Sequence, residues 1–163
     1  MGLLQQIRQL GETLAQQDLM VATAESCTGG WVSQELTAVA GSSAWFERGF
    51  VTYSNAAKQE MLAVSADTLA KFGAVSEAVV REMALGALKH SRAQLAVAVS
   101  GVAGPGGGSA EKPVGTVCFA WAIQASEVIS RSFHFEGDRQ AVRQQAVVIA
   151  IQGLSDLVAD GQD

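Results

Sequence analysis

Apolar positions recur along this chain with two periods, and the switches between them divide it into elements. Leu3, Leu4, Ile7, Leu10 and Leu14 follow helical spacing, so 3–17 is expected to form an amphipathic helix. Leu19–Glu25 has core-strand character, and Thr28–Val39 returns to helical spacing with Trp31, Val32, Leu36 and Val39 inward. Aromatic and β-branched residues make Trp45–Tyr53 a strand. Short helices are expected from a cap at Asn55 to Leu62 and over Ser65–Phe72, the second closed by Gly73. Ser76 is placed to cap a longer helix to His90, with Val79, Val80, Met83, Leu85 and Leu88 on its apolar side. Leu95–Val99 is wholly apolar, as buried central strands are. A glycine-rich loop, Gly101–Pro113, precedes an expected hairpin of Val114–Ile123 and Val128–Phe135. Asp138 is positioned to cap a last helix reaching Ala159.

Helices alternating with strands predict an α/β fold: a single three-layer α/β/α domain over 1–163 with a mixed, mostly parallel sheet. Ligands of such sheets bind beyond the carboxyl ends of strands. Ser26, Tyr53 and Ser100 all fall at expected strand ends.

Composition narrows the function classes. The chain has 163 residues, 48% of them hydrophobic, enough for one substantial core. A formal net charge of −5 argues against non-specific binding to nucleic acid or anionic membranes. The start of the chain carries polar residues throughout, unlike a signal peptide, and no apolar run approaches the ~20 residues of a membrane span. Cys27 and Cys118 make no disulfide framework, so a reducing cytoplasm is the expected compartment. Two cysteines and two histidines, widely scattered, give no structural zinc pattern, and no metal site is expected.

Candidate chemistry gathers around Ala22–Gly30, which reads ATAESCTGG. Ser26 falls in a strand-to-helix turn, Thr28 is a natural N-cap, and Gly29 and Gly30 stand where helix propensity disfavours them by about 1 kcal/mol each. Glycines there permit close approach to the backbone, and free N–H groups at a helix start favour an anion or oxyanion. A hydroxyl beside such a site suits acyl transfer; a tight turn with a small polar residue is the other reading. Lys58, three residues after the expected cap, faces the positive end of a helix dipole, which disfavours its ammonium and suits a general base. A solvated surface lysine is the alternative. Tyr53 is placed to relay a proton or orient Lys58, or simply to pack a core edge. SGVAGPGGG (100–108) has the glycine density to wrap an anion, with Ser100, Gly104, Gly106 and Gly107 as candidate contacts, but lacks the P-loop ending. Arg139 and Arg143 share one face at the start of the last helix, suited to an anion between them or to pairing with Glu136 or Asp138. Ser109–Lys112 matches Ser-x-x-Lys, but Pro113 and the glycines deny it a helix. Cys27 is a rival nucleophile, and His90 and His134 have no local partner for a Ser-His-Asp triad.

Taken together, AESCTGG (24–30), FERGFVTYSNAAK (46–58), GAVSEAVV (73–80), SGVAGPGGG (100–108), EKPVGTV (111–117) and GDRQAVR (137–143) resemble the CinA C-terminal domain family over nearly the whole chain. The resemblance implies a metal-independent Ser/Lys amidase, needing no cofactor, that converts the carboxamide of nicotinamide mononucleotide to nicotinate mononucleotide and ammonia. It places the family's serine on Ser26, its lysine on Lys58, its tyrosine on Tyr53, and substrate contacts on Thr28, Gly29, Gly30, the 100–108 loop, Arg139 and Arg143. It also implies a homodimer or higher homo-oligomer. Readings that stay open are a nucleotide-binding module without catalysis, a Ser/Lys amidase for a different substrate, and a competence-related accessory acting by protein contact.

Overall fold

Two strands, β1 (Val21–Glu25), wholly buried, and β3 (Leu95–Gly101), buried up to Ser100, lie side by side and organise the rest. A computed structural model describes residues 2–160. The expected domain limits take in Met1 and 161–163 as well, which lie outside the described residues. Together with β2 (Phe46–Val51), β4 (Thr116–Ile123) and β5 (Ile129–His134), the sheet has the order β2-β1-β3-β4-β5. β1 pairs in parallel with both β2 and β3, whereas β4 runs antiparallel between β3 and β5. The strands β2, β1 and β3 therefore end on the same side of the molecule.

Side-chain alternation assigns the two faces. Leu95, Val97, Val99, Val117, Phe119 and Trp121 pack on one side with residues of α1 (Leu3–Gln16), α2 (Trp31–Thr37) and α6 (Arg139–Asp160). Ala22, Ala24, Ala96, Ala98, Ala120 and Ala122 form the other side, against α5 (Glu77–Lys89) and the shorter α3 (Asn55–Leu62) and α4 (Ala66–Phe72). The alanines keep that face low, so α5 lies close to the sheet. At Gly86 a Cβ would meet the Leu62 carbonyl oxygen, drawing α3 tightly onto α5. Overpacking so close a layer costs typically about 1–3 kcal/mol per inserted side chain. The expected α/β/α arrangement with a mixed sheet is present.

Three sequence expectations are corrected at element ends and one on a helix face. α2 begins at Trp31, not Thr28, because Gly29 (φ 58°) and Gly30 (φ 103°) are left-handed and cannot continue a right-handed helix. The cap of α3 is Ser54, whose hydroxyl accepts from the Ala57 N–H at 3.0 Å, and Asn55 is the first helical residue. β2 stops at Val51, and Trp45 precedes it as a core residue beside Gly11 of α1. Leu85 faces outward, 49% exposed. Ser65, Ser76 and Asp138 do accept N–H groups at the starts of α4, α5 and α6.

Candidate active site

Ser26 follows the last residue of β1, and its N–H is fixed to the Val99 carbonyl at 3.0 Å. Lys58 projects from α3 back toward the chain that leads into that helix. It is only 1% exposed, and its Nζ lies 3.0 Å from each of Ser26 Oγ, the Thr52 carbonyl and the Tyr53 carbonyl. Among the described residues it pairs with no carboxylate. Burial therefore pushes the Lys58 ammonium below its usual value, since neutral oxygens and no carboxylate among the described residues stand in for the lost hydration. The donor count has a chemical consequence. A neutral amine has two N–H bonds and one lone pair. Two carbonyls take both hydrogens, so the lone pair is left for the Ser26 hydroxyl. When Lys58 is charged, Ser26 accepts from it and turns its own hydrogen toward the Tyr53 carbonyl, 3.4 Å away.

Cys27 is 6% exposed, and burial pushes its thiol up to about 12. It is a poor nucleophile near neutral pH compared with a hydroxyl that has a base in contact. His90 bonds the Gly86 carbonyl and His134 the Val114 carbonyl, and neither lines the cleft at Ser26. Ser109 and Lys112 meet through backbone and hydroxyl contacts in one turn, while Lys112 Nζ donates to the Phe72 carbonyl.

The expected helix-start anion site at Thr28–Gly30 is arranged differently. The carboxylate of Glu25, fully buried, accepts from the N–H groups of Gly30, Val32 and Ser33 and from the hydroxyls of Thr28 and Ser33. The Gly29 N–H is taken by the Ser26 carbonyl. Thr28 thus directs its side chain inward instead of capping α2. Among the described residues, only the Cys27 and Thr28 N–H groups of this turn donate to no oxygen of the chain. Glu25 is missing from the residues expected at the site; its signal in the sequence is a carboxylate ending an otherwise uncharged strand.

Tyr53 contributes through its backbone. Its side chain is turned outward, with the residue 62% exposed, and its phenol oxygen lies 3.4 Å from Arg139 instead of contacting Lys58. Arg139 also donates to the Gly104 carbonyl at 2.9 Å, joining α6 to the glycine loop. Arg143 donates to the Cys27 and Thr28 carbonyls and stacks over Trp31, so it braces the Ser26 turn. Ser100 is buried at the end of β3, its hydroxyl bonded to no other group among the described residues, and it lines the cleft. Gly106 and Gly107 stand in the open part of the loop, and their N–H groups also have no acceptor among the described residues.

The cleft has an empty volume of about 550 Å³ and is walled by Ser26, Lys58, Tyr53, Asn55, Ala74 and Ser100, among others. It shares Ala103 and Arg139 with a neighbouring hollow of about 850 Å³ lined by Pro105, Gly137, Gln140 and Arg143. One lobe thus presents Ser26 and Lys58, and the other presents Arg139, Arg143 and the start of α6. No helix among the described residues is long and apolar enough to cross a membrane, and no cluster of three metal-ligating side chains occurs among them.

Residues 4–158 match the CinA C-terminal domain. The nicotinamide-nucleotide amidohydrolase PncC of Escherichia coli K12 is 60% identical over 152 residues, covering 93% of this chain and 92% of that protein. A protein of the same name from Pseudomonas putida is 54% identical over 148 residues, covering 91% and 92%. The crystal structure of the competence/damage inducible protein CihA from Agrobacterium tumefaciens superposes with a TM-score of 0.93 at 47% identity, covering 95% of this chain and 94% of that one. Sequence motifs, fold and end-to-end similarity agree, and the chain belongs to the CinA C-terminal domain family.

Proposed function

We propose that this protein hydrolyses the carboxamide of nicotinamide mononucleotide, giving nicotinate mononucleotide and ammonia. The observation that carries the reading is the buried Lys58 amine in contact with the Ser26 hydroxyl and with no carboxylate to hold its charge. A module that only binds nucleotides has no use for that pair. The names of the two amidohydrolase relatives supply the substrate class.

Neutral Lys58 takes the Ser26 proton as Oγ attacks the carboxamide carbon. The oxyanion of the tetrahedral intermediate is held by the free N–H groups of Cys27 and Thr28. Lys58 then gives its proton to the amide nitrogen, the C–N bond breaks, and ammonia leaves an acyl ester on Ser26. Water attacks the ester with Lys58 again as base, and the proton returns to Ser26. The Thr52 and Tyr53 carbonyls hold the amine on line throughout, and Ser100 contacts the carboxamide end of the substrate. The phosphate occupies the second lobe, met by Arg139, Arg143 and the N–H groups of Gly106 and Gly107. The same reading includes a single domain, a cytoplasmic location, in keeping with two free cysteines, and a homodimer or higher homo-oligomer.

Ammonia release from nicotinamide mononucleotide, with chromatographic identification of nicotinate mononucleotide, tests the reading. Turnover with loss of one ammonia per product is expected. An enzyme that leaves the mononucleotide intact while hydrolysing an unrelated small amide overturns the substrate.

A further inference from the structure

The turn that carries Ser26 contains two left-handed glycines and would be loose if left to itself. Two charged groups hold it. Arg143 takes the carbonyls of Cys27 and Thr28 at 3.0 and 3.2 Å. Glu25 takes the donors. Its Oε1 accepts from Thr28 Oγ1 at 2.6 Å, from the Gly30 N–H at 3.2 Å and from the Val32 N–H at 2.9 Å. Its Oε2 accepts from the Ser33 N–H at 3.0 Å and from Ser33 Oγ at 2.8 Å. Because that hydroxyl donates to Glu25, the Thr23 hydroxyl donates in turn to Ser33 Oγ, 2.7 Å away.

Glu25 is itself rigid. It is paired on one side with Val51 and on the other with Val99, between two parallel neighbours. Its side chain reaches past the turn to the first residues of α2, so the strand end and the helix start are joined independently of the backbone between them. The N–H groups at the helix start are all consumed on the side away from the cleft. Those of Cys27 and Thr28 alone are left for an oxyanion.

We infer that Glu25 is a positioning residue for the nucleophile. It fixes the Ser26 turn so that the hydroxyl meets Lys58 and the Cys27 and Thr28 amides meet the developing oxyanion, while it touches no substrate. The inference rests on the amidase reading above. Its contribution falls on the chemical step and not on binding, since Glu25 bonds none of the side chains proposed to meet the phosphate, of which Arg143 alone reaches the turn.

Glu25→Gln tests this with little change of volume. The amide offers one acceptor oxygen where five donors converge, so whichever way it is placed an NH₂ opposes N–H groups. A displacement of about 1 Å in the reacting group costs on the order of a hundredfold. Glu25→Gln is therefore expected to lower kcat about a hundredfold with KM and the Kd for nicotinate mononucleotide nearly unchanged. Phosphonylation of Ser26 by a fluorophosphonate probe, with loss of fluoride, should slow in parallel. Thr28→Val, which removes one of the five donors, is expected to lower kcat about tenfold with the same split.

A folded Glu25→Gln enzyme with parental kcat overturns the inference, as does a loss of kcat matched by an equal loss of product affinity. If Glu25→Gln fails to fold, parental kcat in Thr28→Val overturns it. A parent that neither turns over the mononucleotide nor reacts with the probe removes the amidase reading and this inference together. Normal parental turnover with a normal Glu25→Gln removes this inference alone.

Discussion

Lys58 Nζ stands 3.0 Å from Ser26 Oγ, and its other two partners are the main-chain carbonyls of Thr52 and Tyr53. Carbonyl oxygens orient an amine without neutralising an ammonium as a carboxylate would. The pair is therefore set up for proton transfer, at the cost of a charge that the folded state accommodates badly.

That cost makes Lys58 a determinant of stability as well as rate. Its folded value lies below the usual 10.5, so between the two values the unfolded chain binds more protons, and stability rises with pH through that window. Below the folded value the penalty is fully present; above the unfolded value it is gone. Lys58→Met, which removes the buried charge at similar volume, is expected to melt higher than the parent at neutral pH and to show a flatter dependence of melting temperature on pH. Calorimetry of the two proteins from pH 6 to 10 checks this, and a lower Tm for the variant at pH 7 refutes the unpaired-charge reading.

The rate profile follows from the same shift. With Lys58 as the proposed base, only its neutral form is active, so kcat/KM is expected to rise with pH through a limb lying below 10.5. Lys58→Met and Lys58→Arg should both be nearly inactive, because arginine keeps its charge and cannot accept the proton. Substantial activity in Lys58→Arg would mean that the lysine serves as an electrostatic anchor.

Ser26→Ala should lower kcat by about a thousandfold or more while leaving the affinity for nicotinate mononucleotide intact. Cys27→Ala, in contrast, should keep most of the activity, because burial holds that thiol near 12. Mass spectrometry of enzyme quenched during turnover should find the acyl group on the peptide containing Ser26, and its loss in Ser26→Ala discriminates between the neighbours.

The phosphate lobe is tested by comparing the mononucleotide with nicotinamide riboside. Losing a charge-assisted hydrogen bond costs about 1.5–3 kcal/mol, so the riboside should fall at least tenfold in kcat/KM. Arg139→Ala should penalise the mononucleotide and leave the riboside nearly unaffected. Tyr53→Phe removes only the contact to Arg139 and keeps the carbonyl that holds Lys58. A change of less than about tenfold in kcat/KM is expected, with the pH limb in place. A displaced limb would restore the phenol to a proton relay.

Exhaustive chelation should leave activity unchanged, since the described residues bring no three metal-ligating side chains together. Inhibition by a chelator, reversed by added divalent ion, would falsify the metal-free mechanism.

Much of this architecture was legible along the chain because local physics writes it there. The helical spacing of Leu3 to Leu14, the apolar run at Leu95–Val99, and the caps at Ser76 and Asp138 each depend on neighbours a few residues away. Strand ends were legible in the same way, and parallel pairing of β2, β1 and β3 brings Tyr53, Ser26 and Ser100 to one edge of the sheet. By itself, then, the sequence determined the layered α/β order and the stretches that line the cleft.

The tertiary structure decided what each of those residues does there. A strand's period says which face a side chain takes, but it cannot say that Tyr53 turns its phenol to Arg139 and offers Lys58 only its carbonyl. Thr28 looked like a cap because capping is read from adjacent positions. Glu25 takes its hydroxyl from outside the helix and reaches Val32 across two left-handed glycines. Arg139 and Arg143 were paired by spacing, yet one meets the glycine loop and the other the Ser26 turn, more than a hundred residues away. Such contacts join groups distant in the chain and are fixed by packing of whole elements, and packing leaves no local periodicity to read.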